Sequence, residues 1–156
     1  MSEISVQERL RNLGLELPTV SIPVGAYVPA IRVGRKVFTS GQLPLVGGKL
    51  SVSGKVPSDV SLVTAQAAAR EAAINALAAV QGVLGSLDLV ERVVRLNVYV
   101  NSSPGFSDQA KVANGASELL QAVFGPAGVH TRVAVGVAEL PLNAPVELDL
   151  IVQTKE

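Results

Sequence analysis

The chain has 156 residues, 48% of them hydrophobic and 17% charged, which predicts one packed domain over residues 1–156 and excludes a disordered chain. Thirteen Lys and Arg balance thirteen Asp and Glu, with no run of one sign, which disfavours nucleic acid as the main partner and a cationic membrane-surface helix. There is no cysteine and one histidine, His130, which excludes disulfides, thiolate ligands and a multi-histidine metal site. The polar N-terminus does not resemble a signal peptide, and polar residues interrupt the longest apolar stretch, residues 61–84, too often for a membrane span, so we expect a cytoplasmic protein.

The N-terminal part of the chain predicts a short helix followed by a hairpin. Ser2 is placed to cap the helix and Gly14 to end it, within a helical extension over residues 1–18. Residues 31–39 then read as two strands joined by a tight turn at Gly34-Arg35. Residues 46–58 are rich in Gly, Ser and Pro and predict an exposed loop, with Gly47-Gly48 at a hairpin tip.

The middle of the chain alternates helix and strand. Residues 61–84 place alanines and valines at helical spacing, and an alanine face allows a helix to lie close on a sheet. Residues 94–100 alternate apolar and polar, which predicts a strand with Val94 and every second residue after it on the buried face. A second helix is predicted to be capped by Ser107 and to end at Gly125.

Two strands are predicted at the C-terminal end. In the first, Arg132 shares a face with Ala134 and Gly136, and the last runs over residues 146–152. The element order is therefore β-β-α-β-α-β-β after a short helix. We predict an α+β fold in which one mostly antiparallel sheet carries both helices on one face. Its other face would be exposed, which favours self-association.

Arg132 is the most informative single residue, because it is a lone cation in an apolar strand. A guanidinium binds carboxylates through a planar fork of two hydrogen bonds, and an unpaired buried charge is costly. The residue could instead form an internal salt bridge or reach water at a strand end. If the last two strands form a hairpin about Pro141, Glu147 lies about three residues, roughly 10 Å, from the position opposite Arg132. The two would then meet through a different strand order or across subunits, or have separate roles.

Several polar residues accompany Arg132 as weaker candidates. His130 lies two residues earlier and would project the same way, although a lone histidine is more often structural. Ser40 and Gly41 follow a predicted strand, where a hydroxyl and backbone amides can line a pocket or simply form a turn. Tyr27 and Asn114 carry little weight alone.

Together these residues resemble the RidA/YjgF (endoribonuclease L-PSP-like) family over residues 20–152. The resemblance is carried by Gly25-Ala26-Tyr27, by Val37-Phe38-Thr39-Ser40-Gly41-Gln42-Leu43-Pro44, by Gln66, Ala69 and Asn75, by residues 94–100, by Thr131-Arg132-Val133-Ala134-Val135 and by Leu140-Pro141 followed by Val146-Glu147. The N-terminal helix and Leu15-Glu16-Leu17-Pro18 resemble a divergent branch of that family.

The resemblance implies a chorismate-mutase-like fold and a homotrimer with a central β-barrel and three clefts between subunits. It implies hydrolysis of reactive 2-imino or enamino acids to 2-keto acids and ammonia, with no metal or organic cofactor. By position, Arg132 would grip the substrate carboxylate and Glu147 would activate water. The residues lining the pocket would be Tyr27, Ser40, Gly41 and Asn114, and His130 would lie in or near it.

His130 is also a departure from that family, whose deaminase-type members have a small residue or proline there. The sequence therefore leaves open a second function, in which the protein binds a small 2-keto acid or related carboxylate without turnover. Endoribonuclease activity, a third alternative, is disfavoured by the balanced charge and the single histidine.

Overall fold

The computed structural model describes residues 3–20, 23 and 25–156. Its first helix, α1, spans Val6–Asn12. The helix begins at Ser5, whose side chain accepts a hydrogen bond from the Glu8 amide while the Glu8 carboxylate accepts one from the Ser5 amide. This capping box fixes the start of the helix, so the predicted start near Ser2 was too early; Ser2 itself lies outside the described residues. Gly14, at φ +70°, follows the last turn as predicted.

The main sheet contains five strands in the order β1-β2-β7-β5-β6. Their bounds are β1 Ala30–Val33, β2 Lys36–Thr39, β5 Val90–Asn101, β6 Thr131–Val137 and β7 Val146–Thr154. Three neighbouring pairs are antiparallel, and β6 runs parallel to β5 at the edge. The sheet is therefore mixed. The last two strands do not form a hairpin about Pro141, because β5 lies between them.

Two connections contain structure that the sequence only partly predicted. The β1–β2 hairpin turns at Gly34 and Arg35 as expected, with Val33 opposite Lys36. The predicted exposed loop at 46–58 instead begins with a small hairpin, β3 Leu45–Val46 and β4 Lys49–Leu50, whose tip is Gly47 and Gly48. Later in that loop Val56 is fully buried and its amide bonds to the Asn101 carbonyl, so this part is not exposed.

Two long helices cover one face of the sheet. Helix α2 spans Leu62–Leu84 after an N-cap at Ser61, and Gly85 ends it in the left-handed conformation. Helix α3 spans Gln109–Phe124 and ends at Gly125, with Asp108 rather than the predicted Ser107 at the N-cap position. The alanine face of α2 is buried, and the helices approach so closely that a Cβ on Gly115 would lie 2.0 Å from the Gln66 carbonyl oxygen.

A β-bulge changes the phase of β5. The register shifts between Val93, opposite Val152, and Arg95, opposite Ile151, so Val94 is an extra residue. Val93 is consequently the buried residue, and the prediction that Val94 lies in the core was wrong. From Leu96 onwards the alternation follows the predicted pattern.

The sheet face opposite the helices is open in the single chain. Among the described residues, exposed apolar side chains lie there on both flanks of the sheet; they are Ile31, Val33, Phe38, Val133 and Val135. The centre of this open face is polar. None of the helices in the described part of the chain is long and apolar enough to span a membrane.

Candidate functional site

Arg132 lies on the helix-covered side of edge strand β6. Its Nη1 donates hydrogen bonds to Asn114 Oδ1 at 2.8 Å and to Ser117 Oγ at 3.2 Å, both on α3. Both acceptors are neutral, and no carboxylate of the described residues lies within salt-bridge distance of the guanidinium. The internal salt bridge considered from the sequence is therefore not present in this chain. The charge of a half-buried arginine is oriented but not neutralised.

His130 belongs to the same group of side chains. Its Nδ1 lies 2.6 Å from the Gly128 carbonyl oxygen and its Nε2 lies 2.9 Å from Ser117 Oγ. Arg132 and His130 thus project to the same side, as their spacing predicted, and Ser117 joins them. We call Arg132, Asn114, Ser117 and His130 the arginine cluster.

Glu147 lies on the opposite, open face of the sheet, next to Tyr99 on the neighbouring strand β5. A Cβ built on Gly41 would lie 2.2 Å from Glu147 Oε1, so the carboxylate packs directly against the Gly41 backbone and only glycine leaves it room. Burial, together with the negative charge of Asp149, raises the pKa of the Glu147 carboxyl above its usual value. A carboxylate with a raised pKa is a stronger base than an ordinary glutamate.

A row of hydrogen-bonded polar groups extends from Glu147 across the open face. Asn97 Nδ2 donates to Asp149 Oδ1 at 2.7 Å, and the Tyr99 hydroxyl donates to Asp149 Oδ2 at 3.3 Å. Burial and the neighbouring Asp149 carboxylate, which also accepts its hydrogen bond, raise the pKa of Tyr99, so its hydroxyl stays protonated near neutral pH. These partners hold Asp149, and its charge acts on Glu147.

Tyr27 and Ser40 lie near Gly41. The Ser40 hydroxyl donates to the Val28 carbonyl, which ties the segment that carries Tyr27 to the end of β2. Tyr27 and Gly41 both line a cavity of about 440 Å³ between this segment, the C-terminal half of α2 and the turn after β6. Its lining is largely apolar and includes Leu43, Ala78 and Leu142, together with the polar Asn75. We call Tyr27, Ser40, Gly41 and Glu147 the carboxylate cluster.

The two clusters lie on opposite faces of the sheet within one chain. Arg132 is paired with buried Leu96 on the helix side, whereas Glu147 is paired with Tyr99 on the open side. The hairpin about Pro141 used to place them from the sequence was wrong, because β6 and β7 are not neighbours. A single chain therefore does not bring Arg132 and Asn114 to Tyr27, Ser40, Gly41 and Glu147.

Two residues that interact with the predicted site residues were not predicted from the sequence. Ser117 is three residues after Asn114, a spacing that puts both on one helix face, and this signal could have identified it. Asp149 alternates with Glu147 on β7 and could have been grouped with it. As for metals, the described residues contain no cluster of three or more His, Cys, Asp or Glu side chains that could hold an ion.

A family model described as "YjgF/chorismate mutase-like, putative endoribonuclease" matches residues 7–153. The chain belongs to the YjgF family. The resemblance noted in the sequence is thereby confirmed, and so is the α+β, chorismate-mutase-like fold of a mixed sheet with helices.

The chain is also similar to several named proteins. The chain is 46% identical over 151 residues to protein TCP17 of Trypanosoma cruzi, covering 95% of this chain and 93% of the relative. It is 32% identical to the 2-iminobutanoate/2-iminopropanoate deaminase of Dermatophagoides farinae, covering 88% and 93%. It also superposes on the crystal structure of Atu1372 from Agrobacterium tumefaciens with a TM-score of 0.90 and 44% identity, over 96% of this chain and 92% of that one.

Proposed function

We propose that this YjgF-family protein hydrolyses reactive 2-imino acids to 2-keto acids and ammonia. The observation that carries the proposal is the state of Arg132, whose guanidinium is oriented by Asn114 and Ser117 and has no carboxylate partner in the described chain. Its hydrogen bonds come from Nη1, which leaves Nη2 and Nε for a ligand carboxylate. The deaminase named among the relatives acts on substrates that carry such a carboxylate.

The complete site would form between two copies of the chain. Because the arginine and carboxylate clusters occupy opposite faces of one sheet, a cleft holding both needs Arg132 from one subunit and Glu147 from the next. The open sheet face, with its exposed apolar flanks, would be covered in the same assembly, which we take to be a homotrimer around a central barrel.

In this site Glu147 would act as the general base. The carboxylate takes a proton from a water molecule while the water oxygen attacks C2 of the imine, and the C=N electron pair moves to nitrogen. Glu147 returns that proton to the nitrogen, which gives the amino alcohol. The carboxylate then takes the proton of the C2 hydroxyl and passes it to the departing nitrogen as the C–N bond breaks and C=O forms, which releases ammonia and leaves the 2-keto acid. The imine is already electrophilic, so holding its carboxylate and a water in attack geometry supplies most of the acceleration.

The apolar cavity beside Gly41 would hold the substrate side chain. It adjoins the backbone against which Glu147 packs, and its volume of about 440 Å³ exceeds what a methyl group needs. Substrates with longer apolar side chains should therefore be accepted.

The test is the lifetime of imines generated from leucine and alanine by an amino-acid oxidase, measured by trapping with semicarbazide. The wild type should shorten that lifetime, and Arg132→Ala should not. Arg70→Ala, an arginine in a groove between α2 and α3 that belongs to neither cluster, is the matched control and should match the wild type. Equal trapping with and without wild-type protein contradicts hydrolysis; if 2-ketobutyrate still binds in an Arg132-dependent way, the protein is a carboxylate-binding protein instead.

A further inference from the structure

We propose that Ser117 and His130 are positioning residues that hold the Arg132 guanidinium for its ligand, with His130 acting through Ser117 rather than touching the ligand. The effect on ligand binding rests on the proposed function, whereas the hydrogen-bond chain itself does not.

The directions of the hydrogen bonds follow from the atoms that meet. A carbonyl oxygen can only accept, so the 2.6 Å contact with Gly128 places the proton of a neutral imidazole on Nδ1. Nε2 is then an acceptor, and the Ser117 hydroxyl at 2.9 Å donates to it. Because the Ser117 hydroxyl proton points to His130, a lone pair of Ser117 Oγ accepts the hydrogen bond from Arg132 Nη1 at 3.2 Å. The neutral imidazole thus directs the Ser117 hydroxyl proton away from the guanidinium.

This arrangement leaves His130 no free ring nitrogen for a ligand. Both nitrogens are used within the chain, and the imidazole is held between the Gly128 backbone and α3. Ser117 is buried, with 7% of its surface exposed, so its hydroxyl serves the neighbouring side chains rather than solvent. Asn114 supplies the second acceptor for Nη1, and without Ser117 the guanidinium would keep one of its two anchors.

The first experiment measures the imidazole directly. Because the chain has a single histidine, protein labelled with ¹⁵N-histidine and free of a histidine tag gives one pair of ring nitrogen signals. We expect a neutral ring protonated on Nδ1, with Nε2 shifted as an acceptor. Ser117→Ala should move the Nε2 signal towards that of a free nitrogen, and Glu118→Gln, an exposed neighbour on α3, should not. A ring protonated on Nε2, or no response to Ser117→Ala, overturns the chain of hydrogen bonds.

The second experiment asks whether the chain of hydrogen bonds affects the anchor. Saturating 2-ketobutyrate should shift the ¹⁵N signal of His130 Nε2 in the wild type but not in Ser117→Ala. Calorimetry establishes that the ligand is bound in each case. For imine hydrolysis, Ser117→Ala and His130→Ala should raise KM about tenfold, the range for one hydrogen bond to a charged group, with kcat little changed. Ser117→Thr keeps the hydroxyl and His130→Gln can keep the acceptor, so both should recover most of the affinity.

The outcomes separate this inference from the proposed function. The positioning role is wrong if His130→Ala keeps the wild-type KM. It is also wrong if Ser117→Thr, which keeps the hydroxyl, folds but does not restore binding. Neither result contradicts hydrolysis. Wild-type protein without turnover refutes the proposed function, and the ring tautomer and its response to Ser117→Ala then decide the hydrogen-bond chain alone. Circular dichroism and thermal unfolding establish that each variant is folded.

Discussion

Gly41→Ala should inactivate the protein by displacing Glu147. The new Cβ would lie 2.2 Å from Oε1, 3.0 Å from Cδ and 3.3 Å from Cγ of Glu147. A carbon–oxygen contact needs about 3.3 Å, so the carboxylate must move by about 1 Å. A displacement of that size at a reacting group costs on the order of 100-fold in rate. Gly41 is not among the glycines with positive φ, so alanine causes no backbone strain there.

The assay is kcat/KM for imine hydrolysis, together with thermal unfolding. We expect a loss of about 100-fold with little change in Tm, because the group that moves is the end of a flexible, half-buried side chain. A double-mutant cycle sharpens the test: in a Glu147→Ala background, Gly41→Ala should cost little more, since no carboxylate remains to be displaced. If Gly41→Ala keeps kcat/KM within about threefold of the wild type, or costs the same in both backgrounds, the inferred contact does not govern activity.

Three further predictions follow from other contacts. Gly115→Ala should lower the unfolding free energy by about 3 kcal/mol, measured by urea denaturation, because its Cβ would lie 2.0 Å from the Gln66 carbonyl oxygen. Without this clash the same substitution would raise the unfolding free energy, since alanine favours a helix more than glycine does. On the acid side, the midpoint of the pH profile of kcat/KM should lie above the ordinary glutamate pKa of 4.5, because Glu147 has a raised pKa and must be deprotonated to act as the base. Glu147→Gln should remove this acid-side fall in activity. Ala78→Leu should fill the cavity and, in the same oxidase-coupled assay, reduce hydrolysis of the leucine-derived imine more than of the alanine-derived one. Ala67→Leu, on the exposed side of α2, should leave the ratio of the two hydrolysis rates unchanged.

Local patterns in the sequence were enough to predict most elements. The helical spacing of alanine over residues 61–84 is a property of neighbouring residues, and the structure confirms that helix as α2. The same holds for the turn at Gly34-Arg35 and the stop of α3 at Gly125. Errors occurred where equivalent local signals compete, as between Ser2 and Ser5 or Ser107 and Asp108, and only the hydrogen bonds and backbone geometry formed in the fold distinguish them.

Local patterns were sufficient to identify the family, the α+β class and the residues that share a face of each strand outside the bulge at Val94, because period-two and period-3.6 patterns depend only on neighbouring residues. Only the tertiary structure decided that β6 pairs parallel with β5 at the edge, since strand pairing joins residues far apart in the chain. That pairing puts Arg132 and Glu147 on opposite faces and brings Ser117 and His130 to the guanidinium. The sequence was enough to identify the candidate site residues, whereas the order of the strands determines which of them lie together in one chain.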